Sequence, residues 1–203
     1  MKPKIFFDFD DTLFITKHLI TRYIHEQYDV VLPPDEYHCG NSLYEIVVSL
    51  RTDIKIDRET FWRSYAHDFL ASTEWHKNIE PYPDMIETMQ QLAKKYEIII
   101  VTARQEISRP VVKQILDIYL PNTISHVHYV WKIINGIYVP YLKADFISDL
   151  SGEKVAFFDD NPGEIDACSS VIKTILFDPY YLHKGAITYT NVHSWKEIGE
   201  FLA

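Results

Sequence analysis

The stretch KIFFDFDDTLF, residues 4–14, decides how this chain is read. Its opening is a near-continuous apolar run, as in a parallel strand covered by helices on both faces. Asp8, Asp10 and Asp11 follow at once. A surface turn needs one or two such residues for solvation. Three carboxylates at the end of a buried strand repel one another unless a cation or an incoming electrophile uses their charge.

Two more runs have the same form, EIIIV (97–101) and KVAFF (154–158). Each of the three ends at reactive polar residues. The first gives Asp8, Asp10 and Thr12; the second gives Thr102, in IIIVTAR; the third gives Asp159 and Asp160, in VAFFDDNP. Parallel strands that finish on one edge bring these groups together despite their separation in sequence. A basic residue, Lys143 in YLKADFI, lies between the second and third runs.

Outward from these runs, VIKTILF (171–177) is a fourth candidate strand, and HVHYVW (126–131) with GIYV (136–139) a less regular pair. Helices are expected over 83–96, with Asp84 and Glu87 at capping-box spacing, and over 108–120, with Ser108 at its start and Pro110 in its first turn. A last helix is expected over 194–202, with the Ser194/Glu197 pair. Asn161, Pro162 and Glu164 start another. Strand and helix thus alternate from about residue 80 onward, which argues for an open parallel α/β sheet flanked by helices, with right-handed crossovers. Residues 15–79 break that rhythm. They read as helices over 14–28, 41–51 and 57–70 with no strand between them. The expected division is a core of 1–14 and 80–203 with a helical cap of 15–79, inserted over the carboxyl edge where such sheets bind ligands. LPP (32–34) and EPYPD (80–84) punctuate it.

Composition sets the outer bounds. A chain of 203 residues, 47% apolar, buries one ordinary core with a modest insertion. Its net charge of −9 repels an extended polyanion, so long nucleic acid is not an expected partner. No apolar run is long enough to span a bilayer, and no signal-peptide pattern opens the sequence. The two cysteines, Cys39 and Cys168, form no CxxC pair, which points to a reducing cytoplasm. His38 and Cys39 have no further ligand residues beside them and make no metal site.

An acid cluster, a hydroxyl, a lysine and an acid pair, in that order and each of the strand motifs at a strand end, resemble the haloacid dehalogenase superfamily of phosphohydrolases. DFDDT matches its DxDx(T/V) motif, VTAR its Ser/Thr motif, Lys143 its lysine and FFDDNP its acidic pair. The helical insertion resembles the family's C1-type cap. The resemblance implies that Asp8 attacks phosphorus to give an aspartyl-phosphate. It implies a Mg²⁺ ion bridging Asp8, the backbone carbonyl of Asp10 and Asp159, with Asp160 reached through water. The Asp10 side chain would protonate the leaving oxygen and later activate water. Thr102 and Lys143 would hold the phosphoryl oxygens. Lys132 and Lys154 compete with Lys143 for that part, and Lys154 sits too early on its strand to reach the edge. Arg104 either touches substrate or pairs with a neighbouring acid.

VTAR and KADFI are also similar to sequences in the 5'(3')-deoxyribonucleotidase-like branch, which makes a nucleoside monophosphate the leading substrate, ahead of sugar or other small-metabolite phosphates. Aromatics of the insertion (Tyr37, Tyr44, Phe61, Trp62, Tyr65, Phe69 and Trp75) either stack a nucleobase or form that segment's own core. Three rivals remain. A dehalogenase has no leaving group to protonate, so it does not need Asp10. A phospho-receiver module lacks a large helical insertion and an acid pair after its lysine. A phosphate-binding regulator without turnover does not need the full catalytic set.

Overall fold

The three apolar runs are the centre of the sheet. The computed structural model describes residues 2–33, 43–134, 137–183 and 189–203. In chain order the first elements are β1 (Lys4–Phe7), β2 (Phe14–Ile15), α1 (Lys17–Tyr28), α2 (Leu43–Leu50), α3 (Arg58–Ser64), α4 (Thr73–His76) and β3 (Glu80–Pro81). Next come α5 (Met85–Lys95), β4 (Glu97–Gln105), α6 (Arg109–Tyr119), β5 (His126–Ile134) and β6 (Ile137–Pro140). The chain ends with α7 (Lys143–Asp149), β7 (Lys154–Asp159), α8 (Pro162–Cys168), β8 (Thr174–Phe177), β9 (Thr190–Val192) and α9 (Trp195–Phe201).

The described strands form a seven-stranded sheet in the order β6-β5-β4-β1-β7-β8-β9. Its pairings are parallel except β5 with β6. This is the expected open α/β sheet. β1 is central, with β4 on one side and β7 on the other, so the order of connection reverses there. A crevice at the carboxyl ends of the strands is the usual ligand position at such a reversal. Phe7 pairs with Ile100 on β4 and with Phe158 on β7, which puts Asp8 level with Asp159. The Asp8 amide donates to the Phe158 carbonyl at 2.9 Å.

Alternation along β1 explains why both faces are apolar. Ile5 and Phe7 join a cluster with Met85, Met89, Val112 and Trp195 on one side. Phe6 joins Val101, Phe157, Ile147 and Cys168 on the other. Burying such side chains stabilises by about 1.5–3 kcal/mol each, which ties the register of the central strands to the core.

Several local expectations change. The run 171–177 is a strand only from Thr174; Val171 and Ile172 instead donate to the Cys168 carbonyl and close the turn after α8. Asp84 does not cap α5 through its side chain, because its backbone is left-handed at φ 63°. Ser108 ends a single 3-10 turn before α6, and its hydroxyl turns back to the Gln105 carbonyl at 2.7 Å. The Ser194 cap does form: its hydroxyl accepts from the Glu197 amide at 3.2 Å, and Glu197 accepts from the His193 amide at 2.8 Å.

Between β2 and β3 the regular elements of the described residues are helical, with a π-helical turn over Tyr65–Leu70 extending α3. A two-stranded antiparallel pair, β2 with β3, joins the ends of this stretch, Phe14 opposite Pro81 and Ile15 opposite Glu80. Tyr23, Phe61 and Phe69 are fully buried within it, and Tyr23 packs on Phe69 with ring centroids 5.0 Å apart. Tyr37, His38 and Cys39 lie outside the described residues.

Candidate active site

The first turn after β1 is shaped by Asp11. Its backbone is left-handed, at φ 50°, which Asp tolerates better than most residues. Its carboxylate accepts from the Thr16 and Lys17 amides, each at 2.9 Å, and so anchors the start of α1. The turn is also held from below, where the Trp195 indole donates to the Thr12 carbonyl at 3.0 Å. Both contacts fix where the residues on either side of Asp10 lie.

Lys143, the first residue of α7, is 2% exposed. Its ammonium donates to Asp8 Oδ1 at 2.6 Å and to Asp159 Oδ2 at 2.7 Å. The other Asp159 oxygen accepts from the Asn161 amide at 2.8 Å. Thr12 donates to Asp160 at 3.3 Å. Asp8, Asp159 and Asp160 each offer an oxygen within 4.8 Å of the others. The competing lysines lie elsewhere: Lys154 donates to the Ser148 carbonyl, and Lys132 lies over the Tyr141 ring.

Thr102 is fully buried on β4, and its hydroxyl accepts from the Arg104 amide at 3.1 Å. Arg104 pairs with an acid. Nε donates to Asp10 Oδ2 at 2.9 Å and Nη2 to Asp10 Oδ1 at 2.8 Å, a two-point fork. Phe9 lies under the guanidinium, 4.8 Å from its carbon. His76 completes the group, with Nε2 3.0 Å from Arg104 Nη2. Nothing in STEWHKN distinguishes this histidine from a surface residue, and sequence reasoning missed it.

The carboxylates are crowded: Lys143 bridges Asp8 and Asp159, Arg104 takes Asp10, and Asp160 lies in the same 4.8 Å cluster as Asp8 and Asp159. Burial, then Asp159 and Asp11, pushes the Asp160 carboxyl well above its ordinary range. Burial also raises Asp8, against the pull of Lys143, with Asp159 and Asp10 adding to the rise. Asp11 is pushed up to about 6, by burial foremost. Asp10 goes the other way. Burial alone would raise it, but the charge and hydrogen bonds of Arg104 more than reverse that, with a smaller pull from His76. For Lys143 the attraction of Asp159 and Asp8 outweighs burial and keeps the ammonium charged. Crowded, buried, all-oxygen donors fit a small divalent cation such as Mg²⁺.

A small cleft of about 50 Å³ adjoins the cluster, lined by Asp11, Lys17, Tyr82, Asp160, Tyr180 and His183 among others. Asp8 and Asp10 are not among its walls, so it borders the acid cluster rather than enclosing it.

A fold with its acids, hydroxyl and lysine at one sheet edge defines a hydrolase class. The chain belongs to the haloacid dehalogenase-like hydrolases, whose family model matches residues 5–171. Solved structures agree in fold. A haloacid dehalogenase-like family hydrolase from Streptococcus pneumoniae superposes with a TM-score of 0.68 at 16% identity, covering 100% of this chain and 99% of that one. A predicted phosphoglycolate phosphatase from Haemophilus somnus gives 0.68 at 15%, covering 100% and 98%. The HAD-hydrolase YfnB of Bacillus subtilis, bound to magnesium, gives 0.64 at 14%, covering 99% and 98%. No curated protein matches the chain in sequence. Among the described residues no helix is long and apolar enough to cross a membrane.

Proposed function

We propose that this protein is a Mg²⁺-dependent phosphatase of small phosphomonoesters that works through an aspartyl-phosphate on Asp8. The observation that carries this reading is the Asp8–Lys143–Asp159 contact, with Asp160 inside the same 4.8 Å cluster. It sets a nucleophilic carboxylate beside a fixed cation and a set of metal-competent oxygens. Residues 15–79 act as the cap, hinged at the β2–β3 pair.

Asp8 and Asp159, with the Asp10 backbone carbonyl, would hold the ion, and Asp160, in the same cluster, would join directly or through water. Asp159 also orients the lysine, since one of its oxygens accepts from Lys143 and the other from the Asn161 amide. When bound, Mg²⁺ would neutralise phosphate charge and so let an anion attack an anion. An Asp8 oxygen bonds to phosphorus as the ester P–O bond breaks, and the leaving oxygen takes a proton from Asp10. In the second step a water oxygen bonds to phosphorus, its proton passes to Asp10, and the bond to Asp8 breaks. Lys143 and Thr102 steady the phosphoryl oxygens. The Arg104 fork keeps Asp10 ionised, which suits the second step. Carrying a proton in the first step requires one Asp10 oxygen to leave the fork while Arg104 still holds and directs the other.

Nucleoside monophosphates lead as substrate on the likeness of VTAR and KADFI, with sugar and other small-metabolite phosphates next. Phe61 and Phe69 are consumed by packing within the cap, so base stacking would fall to half-buried rings such as Trp62 and Trp75. The buried free thiol of Cys168 suits a reducing cytoplasm. The test is phosphate release with Mg²⁺ from nucleoside mono-, sugar and amino-acid phosphates. Release from one class, lost in Asp8→Asn, is expected; no release from any would remove the reading.

A further inference from the structure

His76 has no part in the reaction so far, yet it is 2% exposed and touches the acid–base machinery through one intermediary. Its hydrogen bonds define its state. Nδ1 lies 2.8 Å from the Ser72 carbonyl, which only accepts, so Nδ1 carries the hydrogen. Nε2 lies 3.0 Å from Arg104 Nη2, and a guanidinium only donates, so Nε2 is the bare acceptor. The ring is therefore neutral and in one tautomer. Packing on Phe69, at 5.0 Å between centroids, limits its movement.

Arg104 is held from two sides. Nη2 is shared between Asp10 Oδ1 and His76 Nε2, and Nε donates to Asp10 Oδ2. Nη1 is buried with no hydrogen-bond partner among the described residues. The His76 contact thus supplies what Asp10 alone does not, a second acceptor that fixes both hydrogens of Nη2. The two halves of the contact lie on different parts of the chain. Arg104 is on β4 of the sheet, and His76 ends α4 in the helical stretch between β2 and β3.

We propose that His76 is a positioning residue for the reaction: through Arg104 it sets the direction of the Asp10 carboxylate, and it makes that alignment depend on the helical stretch being docked on the sheet. This rests on the reading of Asp10 as the proton-transfer group. A path Ser72 carbonyl–His76–Arg104–Asp10 runs from the element proposed to move to the group that must meet the leaving oxygen. Undocking takes Nε2 away from Nη2 and frees the fork to turn. Docking restores it, so a proton-transfer group is in line only over a covered site.

The test uses two amides of different reach in the full chain. Gln at position 76 can put its oxygen near the Nε2 position and accept from Arg104. Asn reaches only as far as Nδ1 and cannot. Both are polar and of similar size, and circular dichroism verifies folding. Turnover is measured with Mg²⁺ on p-nitrophenyl phosphate, whose leaving group needs little protonation, and on phenyl phosphate, whose leaving group needs more. His76→Asn should lower kcat on phenyl phosphate by about 10-fold or more, with a change under about 3-fold on p-nitrophenyl phosphate and a steady KM. His76→Gln should recover most of the loss. The inference is overturned if Asn and Gln behave alike, or if Asn slows both esters equally. Asp10→Asn is the reference. If it lacks the leaving-group dependence, the reading of Asp10 fails; if it has the dependence and His76→Asn does not, only the positioning role fails.

Discussion

Lys143 donates to Asp8 at 2.6 Å across a separation of 135 positions in the chain. The ammonium arrives there because α7 begins at the sheet edge with Lys143 as its first residue, so its long stem reaches over Phe157 to the carboxylates.

Removing that lysine leaves Asp8 and Asp159 facing each other in a buried space. Lys143→Met should cost about 3–5 kcal/mol of stability at pH 7 without Mg²⁺, read as a lower urea midpoint. Phosphatase turnover should fall by about 10²-fold or more, because a fixed cation at the transferring group is lost. A variant as stable and as active as the parent would show that the contact is idle.

Asp8→Asn keeps the shape and removes the proposed nucleophile. Turnover of p-nitrophenyl phosphate should fall by about 10³-fold or more, with the fold intact by circular dichroism. Acid-stable capture of labelled phosphate on the parent protein, absent in the variant, would locate the intermediate.

The cluster of carboxylate oxygens from Asp8, Asp159 and Asp160 predicts that Mg²⁺ stabilises the folded state. At about 100 times its dissociation constant the gain is about 2.7 kcal/mol, seen as a rise in thermal midpoint. EDTA should reverse it and silence turnover. Asp160→Asn should diminish the shift; an unchanged shift would place the ion elsewhere.

Acid stability should depend on buried histidines. Burial, then Arg104, brings His76 down to about 4, and burial brings His128 down to about 4. Between about pH 6.5 and 4 the unfolded chain binds protons that these folded histidines refuse, so each lowers stability as pH falls, His76 by about 3 kcal/mol. Asp11, raised to about 6, and Asp8 and Asp160, also raised by burial, run the other way, since their folded forms take up protons first as pH falls. The clean readout is therefore a difference: from pH 7 to pH 4.5, His76→Gln should lose about 2–3 kcal/mol less than the parent in urea titrations.

The Ser194 cap is a local contribution. Ser194→Ala removes the acceptor for the Glu197 amide and should cost about 1 kcal/mol in urea unfolding with turnover unchanged.

The sheet was legible because buried parallel strands leave continuous apolar runs, and KIFF, EIIIV and KVAFF lose their pattern at the edge where polar groups start. Caps were less legible. Ser194 and Asp84 have the same spacing to a glutamate, yet Ser194 has extended backbone and caps while Asp84 is left-handed and does not. Spacing fixes which atoms lie within reach, and backbone conformation decides whether they point there. Lys143 could be selected among lysines by its place in the motif order, but its two acceptors are a tertiary fact. His76 was illegible altogether, since its partner Arg104 is 28 positions away and reached only when the helical stretch folds back.

That return is arranged by the pairing of Phe14 with Pro81 and Ile15 with Glu80. Exit and re-entry stand side by side, about 5 Å apart as in any antiparallel ladder. The sheet therefore sees a splice of constant width, whatever is threaded through it. Lineages could lengthen, shorten or exchange the excursion without re-registering a single central strand, and chemistry and selectivity could drift on separate schedules.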